Sequence, residues 1–233
     1  MITHDPATDP VPASGPVPAT GPCPGAALEP ADPLLAALTA PCGAEDDART
    51  AARLHARLVA DAGHAGLLDV AFRTLDTPAG TLLLAATEQG LVTVAYAVQD
   101  HAAVLQGLAD RISPRVLHAP GRLDAAARQL DEYFAGRRRT FELPLDWRLS
   151  KGFRREVLVH LPHIAYGSTE SYAQVATAAG SPRAVRAVGT ACATNPLPVV
   201  VPCHRVVRSD GTHGQYVGGA DVKDLLLGME AAA

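Results

Sequence analysis

Two turn signals divide the hydrophobic pattern of residues 70–97 into three short segments. Val70–Thr74 partly alternates between apolar and polar side chains, as a strand with one buried face does. After the turn residues Asp76–Gly80, the segment Thr81–Thr87 is an almost continuous apolar run, which is typical of a buried strand. Gln89-Gly90 then turns the chain into Leu91–Ala97. These segments predict a three-stranded β-meander.

Helical periodicity follows the meander. We predict a helix over Ala102–Arg111, a short strand around Arg115–His118, and a stronger helix over Arg122–Ala135 that Gly136 ends. The last of these places four apolar residues on one face: Leu123, Ala127, Leu130 and Phe134. Strands followed by helices predict a small α/β domain over residues 67–146.

The second half of the chain is predicted to be mainly helical, over residues 147–233. Ser150 is placed to cap a helix whose apolar face is Phe153, Val157 and Leu161. A closing helix is predicted from Asp221 to Glu230. Its inward-facing residues are predicted to be Val222, Leu225 and Leu226.

Two capping signatures predict a helix-turn-helix within this half. Ser171-x-x-Gln174 has the form of a capping box, so Tyr172–Ala179 should be helical, and Gly180 should end it. Ser181-Pro182 would then cap a second helix from Arg183 to about Thr194. Two short helices joined by a tight turn form a helix-turn-helix.

A valine-rich run leads to the chain's candidate nucleophile. Leu197–Val201 is predicted to be buried and extended, and Pro202-Cys203-His204-Arg205 follows it. Cys203 would therefore sit on a rigid support beside His204 and Arg205, and both neighbours favour the thiolate. The same residues also fit a buried and inert cysteine, which is a common type. The adjacency of Cys203 and His204 does not decide between the two interpretations.

The N-terminal residues differ in composition from the rest. Residues 1–33 contain nine of the 19 prolines and show no periodicity, which predicts a disordered tail. Residues 34–66 are interpreted as a helical extension of unassigned role. From about Ala44 to Ala62, four residues recur at helical spacing and predict the apolar face of an amphipathic helix: Ala48, Ala51, Leu54 and Leu58.

Composition limits the class of protein. The apolar fraction of 48% fits a soluble globular protein, and no apolar run approaches the roughly 18 residues of a membrane span. The N-terminus lacks the layout of a secretory signal. The four cysteines have no paired spacing, so they predict neither a disulfide framework nor a zinc site; they are Cys23, Cys42, Cys192 and Cys203. We therefore expect a cytoplasmic protein with no metal and no cofactor.

Charge is unevenly distributed along the chain. The net charge is −4, but from Arg148 to Arg208 eight basic residues accompany only Glu156 and Glu170, so this segment carries +6 and the rest −10. Such a segment is an electrostatic footprint for phosphate, although basic runs are also common on solvated faces. The predicted second helix has no asparagine or glutamine to read the major groove, and its alanines and glycine favour sequence-tolerant binding in the minor groove. A packed, alanine-rich hairpin stays the alternative.

Three motifs together resemble the O6-alkylguanine-DNA alkyltransferases, also called methylated-DNA–protein-cysteine S-methyltransferases. They are Pro202-Cys203-His204-Arg205, Asn195-Pro196 and Gly214-x-Tyr216-x-Gly218-Gly219, and Leu130–Gly136 is similar to the family's N-terminal domain. The resemblance implies a ribonuclease-H-like α/β domain without a catalytic metal, followed by a helix-turn-helix (winged-helix-like) domain. This chain has Arg154 and Leu158 where the family usually has glutamine and tryptophan, which should alter packing rather than activity.

The resemblance also implies catalytic roles. Cys203 would attack the alkyl carbon on O6 of an extruded guanine. His204, oriented by Glu230, would take the thiol proton through a water, and Asn195 would brace the turn. Tyr172 would rotate the 3′ phosphate and donate its phenolic hydrogen to N3 of the base.

Binding roles follow from the same resemblance. Arg186 would fill the space left by the extruded base, and the implied DNA-binding residues are Tyr172, Arg183, Arg186, Ala187 and Arg205. The amide of Val217 would donate to O6, and the carbonyls of Cys203 and Val206 would accept the exocyclic amine. The implied base pocket is Cys203, Val206, Tyr216, Val217 and Gly218.

The implied function is DNA repair by a single-turnover methylated-DNA–[protein]-cysteine S-methyltransferase. A methyl or other alkyl group would move from O6-alkylguanine to Cys203, with O4-alkylthymine as a second candidate substrate. The expected partner is double-stranded DNA, bound through the minor groove with little sequence preference, by a monomer that binds no membrane. Two alternatives are a non-catalytic protein that recognises alkylated DNA, and a cysteine hydrolase that uses Cys203 and His204.

Overall fold

The computed structural model describes residues 44–232, and from Thr50 onward these form one compact unit. The predicted tail, Cys23 and Cys42 lie outside the described residues. The described elements, in chain order, are α1 (Ala44–His64), β1 (Val70–Thr77), β2 (Gly80–Thr87), β3 (Gly90–Tyr96), α2 (His101–Arg111), β4 (Val116–His118), α3 (Asp124–Phe134), α4 (Phe153–His160), β5 (Glu170–Ser171), α5 (Tyr172–Ala178), α6 (Val185–Ala193), β6 (Val206–Val207) and α7 (Ala220–Ala231). None of the helices within residues 44–232 combines the length and the hydropathy that crossing a bilayer requires.

A four-stranded sheet with the order β3-β2-β1-β4 organises the first half. Strands β1, β2 and β3 form the predicted meander, in which Leu84 is opposite Arg73 on one side and Val94 on the other. Strand β4 pairs with β1 in parallel, after helix α2 has carried the chain back along the sheet. The apolar run in β2 is buried from Leu82 onward, because helices and loops cover both faces of the sheet.

The two halves of the compact unit share one hydrophobic core. Leu84 of β2 and Leu130 of α3 belong to the same buried cluster as Val188 of α6 and Leu226 of α7. Burial of apolar surface contributes about 25 cal/mol per Å², so this shared cluster gives the packing of the two halves a large favourable free energy. Residues from both halves can therefore be held in one site.

Both helices of the predicted pair are present, as α5 and α6, and only one of their two predicted caps is correct. The amide of Gln174 donates to Oγ of Ser171 (3.3 Å) and the amide of Ser171 donates to Oε1 of Gln174 (2.7 Å), which confirms the capping box. Ser181 does not cap α6. The amide of Ala184 closes a turn on the carbonyl of Ser181 (2.8 Å), so α6 begins only at Val185.

Two other sequence predictions about helix starts and faces are wrong. Helix α4 follows Gly152, which has φ 54°, and Ser150 is buried near the Arg154 guanidinium instead of capping the helix. In α1, Leu54 and Leu58 are 59% and 54% exposed, while Val59 packs on a small buried cluster. Alanines lie on several faces of α1, so its sequence does not define which face is buried.

The buried face of helix α7 differs in part from the predicted one. Leu226 is buried and Val222 packs against the core, as predicted, but Leu225 is 40% exposed. Lys223 and Glu230 are buried instead, at 0% and 3% exposure. A hydrophobic pattern cannot predict this face because two of its inward residues are ionisable.

Candidate functional site

The valine-rich run is buried as predicted, but it forms a tight turn and not an extended strand. Val199 has φ 71°, a left-handed conformation that is rare for a β-branched residue and costs on the order of 1–3 kcal/mol. The amide of Val201 donates to the carbonyl of Leu197 at 2.8 Å, which closes the turn. The chain therefore reaches Cys203 from a buried and strained support.

Asn195 braces this turn from the end of α6. It is 3% exposed, and its Nδ2 donates to the carbonyl of Val201 (2.8 Å) and to Sγ of Cys203 (3.1 Å). Its Oδ1 accepts the amide of Leu197 at 3.0 Å. One amide side chain thus fixes both the turn and the thiol.

Cys203 is a neutral thiol in this environment. It lies in a single turn of 3₁₀-helix, Cys203–Arg205, and is 2% exposed. Burial raises its pKa to about 11, although the Asn195 hydrogen bond and the charge of Lys223 lower it. The expectation that His204 and Arg205 stabilise a thiolate is therefore wrong, because both side chains bind Glu230 and not the thiol.

Glu230 is the centre of a buried hydrogen-bond network that joins both halves. Nε2 of His204 lies 3.0 Å from its Oε1, and Nε and Nη2 of Arg205 donate to its two oxygens at 2.9 and 2.8 Å. The hydroxyl of Tyr133 in α3 donates to Oε1 at 2.6 Å, and the amide of Gly167 donates to Oε2 at 3.2 Å. Burial alone would raise the pKa of Glu230, but the hydrogen bonds from His204 and Arg205 hold it well below its usual range.

His204 is neutral, and its position assigns its tautomer. Burial lowers its pKa, so the ring carries one hydrogen. Glu230 is an ionised acceptor, so that hydrogen lies on Nε2 and leaves Nδ1 as an unprotonated nitrogen. Nδ1 is buried and has no hydrogen-bond partner among residues 44–232.

Arg205 is not placed to bind DNA. It is 5% exposed, and besides Glu230 its guanidinium donates to the carbonyl of Ile164 at 2.7 Å. The predicted DNA contact by Arg205 is therefore wrong, since a phosphate could reach it only if this network opened. Its positive charge serves to balance Glu230 within the protein interior.

Helix α6 and the turn before it expose three of the other residues that are predicted to bind DNA. Arg186 and Ala187 lie on the exposed face of α6, and Arg183 is exposed in the turn before it. The opposite face of α6 is buried through Val188, Ala191 and Cys192. The exposed face combines one arginine with small side chains.

The residues of the predicted base pocket come from the acceptor turn and from the loop before α7, and this loop packs against Tyr172 of α5. Gly214 packs directly against the hydroxyl of Tyr172, and a side chain at position 214 would collide with it. Tyr216 is 9% exposed, whereas Val217 and Gly218 are partly exposed. The carbonyl of Val206 accepts Nζ of Lys223 at 2.6 Å, which leaves one lone pair for another donor.

Sequence reasoning missed Tyr133, Lys223 and Tyr96. The sequence contains one indication of Lys223. Only two of the 20 Lys and Arg residues are lysines, and this one stands among apolar residues in a predicted helix. Tyr133 and Tyr96 are far from Cys203 in the chain, and only the tertiary fold brings them to this site.

Two family models match the chain. The ribonuclease-like domain of 6-O-methylguanine DNA methyltransferase matches residues 70–147, and the DNA binding domain of the same family matches residues 152–232. The constitutive methylated-DNA–protein-cysteine methyltransferase of Bacillus subtilis is 37% identical over 68% of this chain and 94% of its own length. The corresponding protein of Mycolicibacterium paratuberculosis is 38% identical over 69% of this chain and 92% of its own length.

Solved structures show the same similarity. The O6-methylguanine methyltransferase of Mycobacterium tuberculosis has a TM-score of 0.62 and 36% identity, covering 70% of this chain and 93% of its own. A structure of the M. tuberculosis protein in complex with DNA has the same TM-score of 0.62.

Proposed function

The chain belongs to the 6-O-methylguanine DNA methyltransferase family, and on that premise we propose that it repairs DNA by moving an alkyl group from O6 of guanine to Cys203. The observation that carries this assignment is the geometry around Cys203. A buried thiol is braced by Asn195 and is followed directly by a neutral histidine that a carboxylate orients. Cys192 is also buried, but it lies within helix α6 and has no such neighbours in the sequence.

The thiol must lose its proton during the reaction. With a pKa of about 11, roughly one Cys203 in 10⁴ is a thiolate at pH 7. His204 can accept the proton at Nδ1 through a water, and the resulting imidazolium would be stabilised by Glu230. The Sγ–carbon bond forms as the carbon–O6 bond breaks, and the electron pair leaves on O6.

Charge that develops on the guanine needs hydrogen-bond donors. We assign the Tyr172 hydroxyl and the Val217 amide to this role, with the carbonyls of Cys203 and Val206 accepting the exocyclic amine. The product is a thioether, which carries no good leaving group. Each protein molecule therefore acts once.

Exposed Arg183, Arg186 and Ala187 support binding of double-stranded DNA. We propose that α6 enters the minor groove, because small side chains on its exposed face allow close approach without reading base edges. In this proposal the helix pair acts as a winged-helix-like reader, and the protein binds as a monomer with little sequence preference. O4-alkylthymine is a second substrate candidate on the same chemistry.

The experiment that tests this function is a stoichiometric transfer assay. Labelled methyl from duplex DNA that contains O6-methylguanine should plateau at one methyl per protein, and excess substrate should not move the plateau. Mass spectrometry should locate the methyl on Cys203. A passive recognition protein would bind this DNA without taking label, and a hydrolase would turn over small esters without a plateau.

Replacing Arg186 by alanine should slow repair of duplex DNA by about 10–100-fold, because the space left by the extruded base would stay unfilled and extrusion costs a few kcal/mol. Transfer from free O6-benzylguanine needs no extrusion and should stay within about twofold of the unsubstituted protein. Arg137→Ala, which removes an exposed arginine of the first half, is the matched control. Equal slowing on both substrates would show that Arg186 has another role.

A further inference from the structure

Tyr96 ends strand β3 in the first half of the chain, yet its side chain reaches the base pocket of the second half. It is 3% exposed, and its Oη lies 2.9 Å from Oη of Tyr216, 120 residues later. The two rings meet edge to face with their centroids 5.8 Å apart. Tyr96 therefore holds Tyr216 through both its hydroxyl and its ring.

The ring of Tyr96 also limits the position of Gly218, two residues after Tyr216. A Cβ added to Gly218 would lie 2.9 Å from Cε2 of Tyr96, which is closer than real Cβ atoms approach. The backbone of Gly218 thus rests against this ring. Tyr96 contacts both ends of the Tyr216–Gly218 segment.

This segment is close to the acceptor. Tyr216 meets the ring of His204 edge to face at 6.3 Å, and His204 follows Cys203 directly. Burial is the main cause that raises the pKa of both Tyr96 and Tyr216, and a negative charge on Cys203 adds to it. Both phenols are thus within electrostatic reach of the reacting sulfur.

We propose that Tyr96 is a positioning residue for alkyl transfer and determines which alkyl groups fit beside Cys203. The inference rests on the proposed function, because the place of Tyr216–Gly218 affects specificity only if this segment binds the base. The hydroxyl contact fixes Tyr216, and the bulk of the ring sets how far the Gly218 backbone can move. The first half of the chain thereby controls the size of a pocket built by the second half, and favours a small alkyl group such as methyl over benzyl.

Tyr96→Leu tests the role of the ring. Transfer rates are measured with duplexes that carry either O6-methylguanine or O6-benzylguanine, and each protein's active fraction is titrated first. We expect the benzyl-to-methyl rate ratio to rise at least about tenfold, because leucine leaves room next to Gly218. Phe72→Leu, an aromatic loss on strand β1 of the same sheet, should leave the ratio within about twofold. An unchanged ratio in Tyr96→Leu overturns the proposal.

A double-mutant cycle tests the role of the hydroxyl and keeps the proposal testable if Tyr96→Leu fails to fold. Tyr96→Phe and Tyr216→Phe should each slow methyl transfer by about tenfold. Each substitution removes one hydroxyl of the pair and leaves the other hydroxyl buried without its partner. The double variant should be no slower than the slower single variant, because the contact is already lost. Effects that multiply would overturn the positioning role of the hydroxyl pair. If the unsubstituted protein transfers no alkyl group, the proposed function itself is wrong. If it transfers one equivalent, but the rate ratio and the double-mutant cycle differ from these expectations, only the role of Tyr96 is wrong.

Discussion

Glu230→Gln should abolish alkyl transfer and lower the free energy of unfolding by about 3–5 kcal/mol. The substitution keeps the shape of the side chain but leaves the Arg205 guanidinium buried without a charged partner. It also replaces one carboxylate oxygen, an acceptor, by an amide NH₂ group, a donor. The hydroxyl of Tyr133 and the guanidinium of Arg205 donate to the carboxylate in the unsubstituted protein, so donors would then face a donor. His204 then loses the carboxylate that orients it and stabilises its protonated form. For a folded unit of this size the melting temperature should fall by roughly 6–20 °C.

Glu170→Gln is the matched control for this prediction. Glu170 also pairs with a histidine, His160, at 2.9 Å, but its side chain is 28% exposed and the pair lies at the surface. We expect its loss to cost less than about 1 kcal/mol and to leave transfer unchanged. Urea unfolding of the three proteins measures the difference, and equal destabilisation by both substitutions would contradict the central role of the buried network.

The same network sets the direction of the pH dependence. The pKa of Glu230 in the folded state is held far below its value of 4.5 in the unfolded chain. Its contribution to stability is therefore fully present above about pH 4.5 and is lost as the pH falls further. The stability difference between the unsubstituted protein and Glu230→Gln should shrink between pH 5 and pH 3, and a constant difference over this range would contradict the assignment.

Much of the fold could be predicted because local signals agree with it. Turn residues separate the three strands of the meander, and Ser171 with Gln174 forms the predicted capping box. The parallel pairing of β4 with β1 could not be predicted, since hydrophobic periodicity identifies a strand but not its neighbour. The turn at Val199 also escaped prediction, because valine strongly favours extended backbone and only the surrounding packing holds it at φ 71°.

For the candidate site too, local contacts could be predicted from the sequence and long-range contacts could not. Residues within one short motif, such as Asn195 and Cys203, could be identified from sequence because they act within eight positions of each other. The partners of Glu230 could not, because Tyr133 is 97 residues away and Gly167 is 63. Arg205 shows the opposite error. Its charge predicts a surface contact with phosphate, whereas the fold uses that charge to balance a buried carboxylate.

Lys223→Met should slow alkyl transfer by about 10–100-fold, because it removes the positive charge that lowers the pKa of Cys203. Lys223 is completely buried, and its Nζ donates to the carbonyl of Val206, in the strand that follows the acceptor turn. The ammonium group of lysine is more compact than a guanidinium, so it suits the closed interior at this position. Without that charge the pKa of the thiol should rise above about 11.

Reaction of Cys203 with iodoacetamide separates this electrostatic role from a packing defect, because the rate follows the thiolate fraction and needs no DNA. Between pH 7 and 9 the rate should rise with pH in both proteins, since the pKa of about 11 lies above this range. Lys223→Met should be slower at each pH by about the same factor as in alkyl transfer, after the background of a Cys203→Ala protein is subtracted. Lys151→Met changes the other lysine, which is exposed, and should leave both rates within about twofold. Normal iodoacetamide reactivity in Lys223→Met, together with slow alkyl transfer, would show that Lys223 shapes the site and does not stabilise the thiolate.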